Sequence, residues 1–90
     1  MALEFFETVH NYYERLVMEE IRDHYLDKGL TDEQLADMAC IALNRLPPRY
    51  IRHDIDMSFY LSGEEYEEIH DKVKAAVAEA FKKLRDNPRA

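Results

Sequence analysis

The 90-residue chain has one cysteine, Cys40, so it holds neither an internal disulfide nor a zinc site built from cysteines alone. It has two glycines, Gly29 and Gly63, too few and too far apart for a glycine-rich phosphate loop. No apolar run approaches the roughly 18 residues that a membrane helix needs. Met1-Ala2-Leu3-Glu4 lacks a basic n-region, so no secretory signal is expected and the cytoplasm is the expected compartment. Bases are also in short supply, 12 against 19 acids, for a net charge of −7. That balance argues against non-specific nucleic-acid binding, which depends on neutralising phosphates. The length allows one small domain, residues 1–90, and such a chain buries only roughly 60–65 % of its unfolded surface. With no staple in view, oligomerisation is expected.

What is present is mostly amphipathic helix. Phe5, Phe6, Val9, Tyr12, Tyr13, Leu16, Val17, Ile21 and Tyr25 recur at three- and four-residue spacing, which predicts a first helix over 3–27. Lys28-Gly29 ends it, with Gly29 as a left-handed cap. Thr31, with Gln34 three residues on, forms the capping box of a second helix over 32–45. That helix is apolar nearly all round in its second half, Met38 to Leu43, and is expected to be central and buried on most sides. Ser62 and Glu65 open a last helix. Its stripe of Tyr66, Ile69, Val73, Ala76, Val77, Ala80, Phe81 and Leu84 suits a helix partner, and Asn87-Pro88 stops it.

Proline is sparse, yet two of the three stand together in Asn44-Arg45-Leu46-Pro47-Pro48-Arg49-Tyr50. Pro47 disfavours helical geometry at Leu46, so the second helix should stop there. The double proline then holds the chain extended and presents Arg49 and Tyr50 on a stiff arm. Tyr50-Ile51-Arg52-His53 has strand character, but no partner strand is evident in the chain, so pairing with a symmetry mate is one outcome. Residues 54–61 read equally as a helical turn or an apolar loop. The charge is uneven in the same place: residues 38–53 carry Arg45, Arg49 and Arg52 and no acid, whereas 54–71 carry seven acids and no Lys or Arg. A basic segment in an acidic chain suits a small anionic ligand, or else a set of ion pairs between helices.

Several chemistries find no assembled site. Glu7…His10 and Glu67…His70 repeat the Glu-x-x-His spacing of di-iron bundles, but both glutamates fall off the apolar stripes, so no metal is expected. Cys40 with His24 or His53 could in principle make a nucleophile–base pair, but Cys40 reads as a small buried hydrophobe. The chain is therefore not expected to be an enzyme. The remaining candidates are Asn44, Arg45, Arg49, Tyr50, Arg52 and His53. Arginine takes phosphate oxygens or a guanine edge bidentately, tyrosine stacks on a base, and Asn44 either pairs with a base edge or ends its helix.

The stretch Asp37-Met38-Ala39-Cys40-Ile41-Ala42-Leu43-Asn44-Arg45-Leu46-Pro47-Pro48-Arg49-Tyr50 resembles the signature of the late-competence ComFB family. The resemblance extends more loosely to a helix before the motif and one after it. Members often carry extra cysteines ahead of the acidic residue, forming a zinc site. This chain has Leu30-Thr31-Asp32-Glu33-Gln34-Leu35-Ala36 there, without cysteine, and no cofactor is expected. Some proteins with this signature are receptors for cyclic di-GMP or cyclic di-AMP. The resemblance thus implies a cyclic-dinucleotide-binding regulator, signalling to a protein partner in competence, motility or biofilm control. A ligand-free adaptor of the same family is the alternative. The expected architecture is an all-α single domain of three helices and a Pro-Pro arm. It is expected to form a homodimer through the last helix and the second.

Overall fold

The computed structural model describes residues 8–52 and 62–86. The order of elements is β1 (Val9–Asn11), α1 (Tyr12–His24), α2 (Asp32–Arg45), β2 (Tyr50–Arg52) and α3 (Gly63–Asp86). Three helices dominate, as the periodicity predicts, and a two-stranded antiparallel sheet joins the start of α1 to the end of α2.

The first helix is shorter than expected at both described ends. It starts at Tyr12, because Asn11 has extended backbone (φ −77°, ψ 120°) and its Oδ1 accepts the Tyr13 N–H at 3.2 Å. Residues 9–11 are strand instead, paired Val9 to Arg52, His10 to Ile51 and Asn11 to Tyr50. The strand at 50–52 therefore has its partner within the chain, contrary to the sequence reading. Val9 falls in phase with the helical stripe by coincidence, and its 42 % exposure shows that it does not belong to the helical core. Phe5 and Phe6 lie outside the described residues. At the other end α1 stops at His24, where the Tyr25 N–H still reaches the Ile21 carbonyl at 2.9 Å. Gly29 does take up the left-handed conformation (φ 76°), but it reverses the chain after a turn over 25–28 rather than capping the helix directly.

Both later helix starts match their sequence signals. Gln34 N–H donates to Thr31 Oγ1 at 3.1 Å, and the Thr31 N–H donates back to Gln34 Oε1 at 2.8 Å. The Glu65 N–H donates to Ser62 Oγ at 3.1 Å. Thr31→Ala removes an N-cap and is expected to cost about 1 kcal/mol. Urea unfolding checks it, through a lower midpoint at unchanged slope.

The core takes one side of each helix. It gathers Tyr13, Leu16, Val17 and Ile21 of α1, Met38 and Ala42 of α2, Leu46, and Ile69, Val73, Ala76, Val77, Ala80 and Leu84 of α3. The α3 stripe expected to form a dimer interface is buried within this chain, apart from Tyr66, which is exposed, and Phe81, which is half-buried. The Phe81 ring meets Tyr25 at 5.1 Å between centroids. Nor is α2 buried all round. Met38 and Ala42 are enclosed, whereas Ala36 and Cys40 are exposed. Cys40 stands about 200° around the helix from Met38, so an apolar composition hid a real inside and outside. Among the described residues, no helix is long and apolar enough to cross a membrane.

Candidate functional site

The segment after α2 is fixed at two points. Leu46 leaves the helix with extended backbone (φ −98°, ψ 138°), as the following proline requires, and its side chain is buried. Three residues on, the backbone of Arg49 is tied to the start of α1. Its N–H donates to Asn11 Oδ1 at 3.0 Å, and its carbonyl accepts the Tyr12 N–H at 2.6 Å. Between these points Pro47 and Pro48 are exposed.

Asn11 is the residue that sequence reasoning missed. The rung Tyr12–Arg49 extends the β1–β2 register by one pair. In an antiparallel rung of this kind the two residues exchange two backbone bonds. Tyr12 supplies its N–H, but its carbonyl belongs to the hydrogen-bond ladder of α1. Asn11 Oδ1 stands in as the missing acceptor while also capping the helix. The signal was present as Asn11 directly before an amphipathic run, an N-terminus signature masked by the in-phase aromatic residues ahead of it.

The candidate residues now divide. Tyr50 (68 % exposed) and Arg52 share one face of β2, with the half-buried Ile51 on the other. Arg49 is exposed, and among the described residues no carboxylate lies within salt-bridge distance of it. Asn44 is exposed on the last turn of α2. Arg45 differs, because its Nη2 meets Glu79 Oε1 at 2.8 Å, an ion pair between α2 and α3. Of the two alternatives for the basic segment, the ion pair between helices is the one seen at Arg45. His53 lies outside the described residues, as do residues 54–61.

Among the described residues the other sequence constellations do not assemble. His10 is on a strand, so it cannot share a helix face with Glu7, which lies outside the described residues. His70 stacks on Tyr66 at 4.4 Å between ring centroids, and Glu67 is exposed. Among the described residues, no group of three His, Cys, Asp or Glu side chains is placed to hold a metal ion. Cys40 and His24 are each exposed, with no hydrogen bond between them among the described residues.

What this arrangement offers, among the described residues, is an exposed, positively charged and aromatic surface. A family model described as Late competence development protein ComFB matches residues 10–88. No curated protein and no solved structure matches the chain. The matched span begins beside Asn11 and contains both strand residues and helices that build the site.

Proposed function

The chain belongs to the family of the late competence development protein ComFB, and from that premise we propose that it is a cyclic-dinucleotide-binding regulator, not an enzyme. The ligand is cyclic di-GMP or cyclic di-AMP, bound at the 44–52 segment, and the signal passes to a protein partner in the cytoplasm. One observation carries the reading. A guanidinium at Arg49 with no carboxylate in reach among the described residues stands next in the chain to a largely exposed Tyr50, on a backbone already fastened to Asn11 and Tyr12.

That fastening matters because a site ordered in advance has less conformational freedom to lose when a ligand arrives. Arg49 and Arg52 would take phosphate oxygens, the Tyr50 ring would stack on a base, and Asn44 would meet a base edge. A two-fold symmetric ligand fits a two-fold homodimer, each copy holding one half. With the α3 stripe enclosed, the outward side of α2 around Ala36 and Cys40 is the surface we assign to the second copy.

Arg45 enters this reading conditionally on Glu79. The carboxylate at 2.8 Å competes with any phosphate for the same guanidinium. Glu79→Ala is therefore expected to tighten cyclic dinucleotide binding about fivefold, the size of one charge contact in water. Unchanged affinity would take Arg45 out of the site.

The direct test is isothermal titration with cyclic di-GMP, then cyclic di-AMP, at physiological salt. Micromolar or tighter binding at one or two ligands per dimer establishes the receptor. No heat from a folded dimer favours the adaptor, docking through acidic side chains of α1 such as Glu14 and Asp23, both exposed.

A further inference from the structure

We infer that β1 supplies the second half of the ligand face, with Asn11 and Val9 standing beside Tyr50 and Arg52. The inference rests on the binding function just proposed and extends its site to a strand that no feature of the double-proline segment indicates.

The argument begins with register. Asn11 is opposite Tyr50, and Val9 is opposite Arg52. Residues directly opposite in an antiparallel pair project to the same face, and those two apart on one strand do too. Val9, Asn11, Tyr50 and Arg52 therefore share a face, and His10 and Ile51 take the other. Exposure follows for three of the four: Val9, Tyr50 and Arg52 are exposed, Asn11 is half-buried with its Oδ1 engaged by two backbone N–H groups, and His10 and Ile51 are half-buried on the other face. Because Tyr12 and Arg49 form a hydrogen-bonded rung, the alternation makes Asn11–Tyr50 and Val9–Arg52 the non-hydrogen-bonded rungs. Those are the rungs on which opposing side chains stand closest, with Cα atoms about 4.5 Å apart.

Asn11 adds a fixed pair of donors to that face. Its Oδ1 accepts from two backbone N–H groups, Tyr13 at 3.2 Å and Arg49 at 3.0 Å. Both neighbours donate, which settles which end of the carboxamide is oxygen. The Nδ2 group is thereby held in one orientation, with no hydrogen-bond partner among the described residues. An oriented amide donor beside an exposed phenol and the Arg52 side chain is the equipment for an anionic, aromatic ligand: donors and a cation for phosphate oxygens, a ring for a base. The same carboxamide holds Arg49 by its backbone, so Asn11 both positions the arginine and contributes to the surface.

Two variants test this without dismantling the fold. Asn11→Asp keeps an acceptor for both N–H groups and places a favourable negative charge at a helix N-terminus. Its melting temperature should hold. It also removes the two Nδ2–H donors and sets a carboxylate in the face, so cyclic dinucleotide affinity should fall about tenfold or more. Val9→Lys changes an exposed side chain that makes no cap, and its added cation opposite Arg52 should tighten binding about fivefold at low salt. Leu26→Lys, exposed beyond the far end of the 13-residue helix α1, is the control and should change nothing. Titration with cyclic di-GMP and cyclic di-AMP reads all three. Native affinity in both Asn11→Asp and Val9→Lys, from a native protein that binds, overturns the inference and leaves the receptor reading standing. No heat from the native protein with either nucleotide overturns both.

Discussion

Arg49→Ala is expected to weaken cyclic dinucleotide binding roughly 10- to 100-fold while leaving the fold intact. The two halves of that expectation have separate causes. Arg49 is held in place by its main chain, through Asn11 Oδ1 and the Tyr12 N–H, and both bonds survive loss of the side chain. Its side chain is exposed and pairs with no carboxylate among the described residues, so stability should move by less than about 0.5 kcal/mol. The ligand, by contrast, loses charge-assisted hydrogen bonds worth roughly 1.5–3 kcal/mol. A ligand that takes one Arg49 from each copy loses the contact twice. Arg49→Lys separates charge from geometry: the ammonium keeps the attraction but cannot make the bidentate fork. Its affinity should fall between native and alanine. Calorimetric titration with circular dichroism on the same samples checks both halves. An alanine variant that binds like the native protein sinks the site, and one that loses helix was never a test of it.

The helices were legible because their signals are local. Thr31 with Gln34, and Ser62 with Glu65, are bonds between residues three apart, so the capping chemistry is written in the sequence order itself. The buried set on α3, from Ile69 to Leu84, repeats at helical spacing and was equally plain. What that pattern could not specify was its partner. An apolar stripe reads the same whether it meets another copy or the chain's own α1 and α2, and here the chain itself covers it.

The candidate site was legible only in part, for a related reason. Arg49 and Tyr50 announced themselves by the double proline and the local excess of positive charge. Their support did not, because Asn11 is 38 residues from Arg49 in sequence. A three-residue strand has almost no pattern of its own, and Val9, Tyr12 and Tyr13 fit a helix as readily as a strand followed by a helix. The long-range pairing overrode that local preference at Val9 to Asn11. Arg45 shows the same limit from the other side. Nothing near it in sequence is acidic, and the carboxylate that neutralises it comes from α3.

The second large effect tests the inside of α2 against its outside. Met38 is fully enclosed and is among the bulkiest buried side chains, while Cys40, two residues on, faces solvent. Met38→Ala leaves a cavity in the cluster shared by all three helices and is expected to cost about 2–5 kcal/mol. For 90 residues the whole stability is only about 5–13 kcal/mol, so the loss is a large share. At about 4–8 °C per kcal/mol for a domain this size, the melting temperature should drop by roughly 8–40 °C. Cys40→Ala should shift it by no more than about 2–4 °C, because the side chain is exposed on its own chain and trimming one sulfur from the surface assigned to the second copy costs within about 0.5 kcal/mol. Equal losses from both would mean that Cys40 is a central contact of that interface, which dilution would reveal as a concentration-dependent melting temperature. Binding gives the last discrimination. Met38 supports the helix whose last turn carries Asn44 but lies on its enclosed side, so the alanine variant, titrated cold enough to remain folded, should retain native affinity. Its weakness on warming is a smaller folded fraction, which lowers apparent affinity in proportion. Arg49→Ala has no such temperature at which binding returns, and that difference separates a residue that holds the protein together from one that holds its ligand.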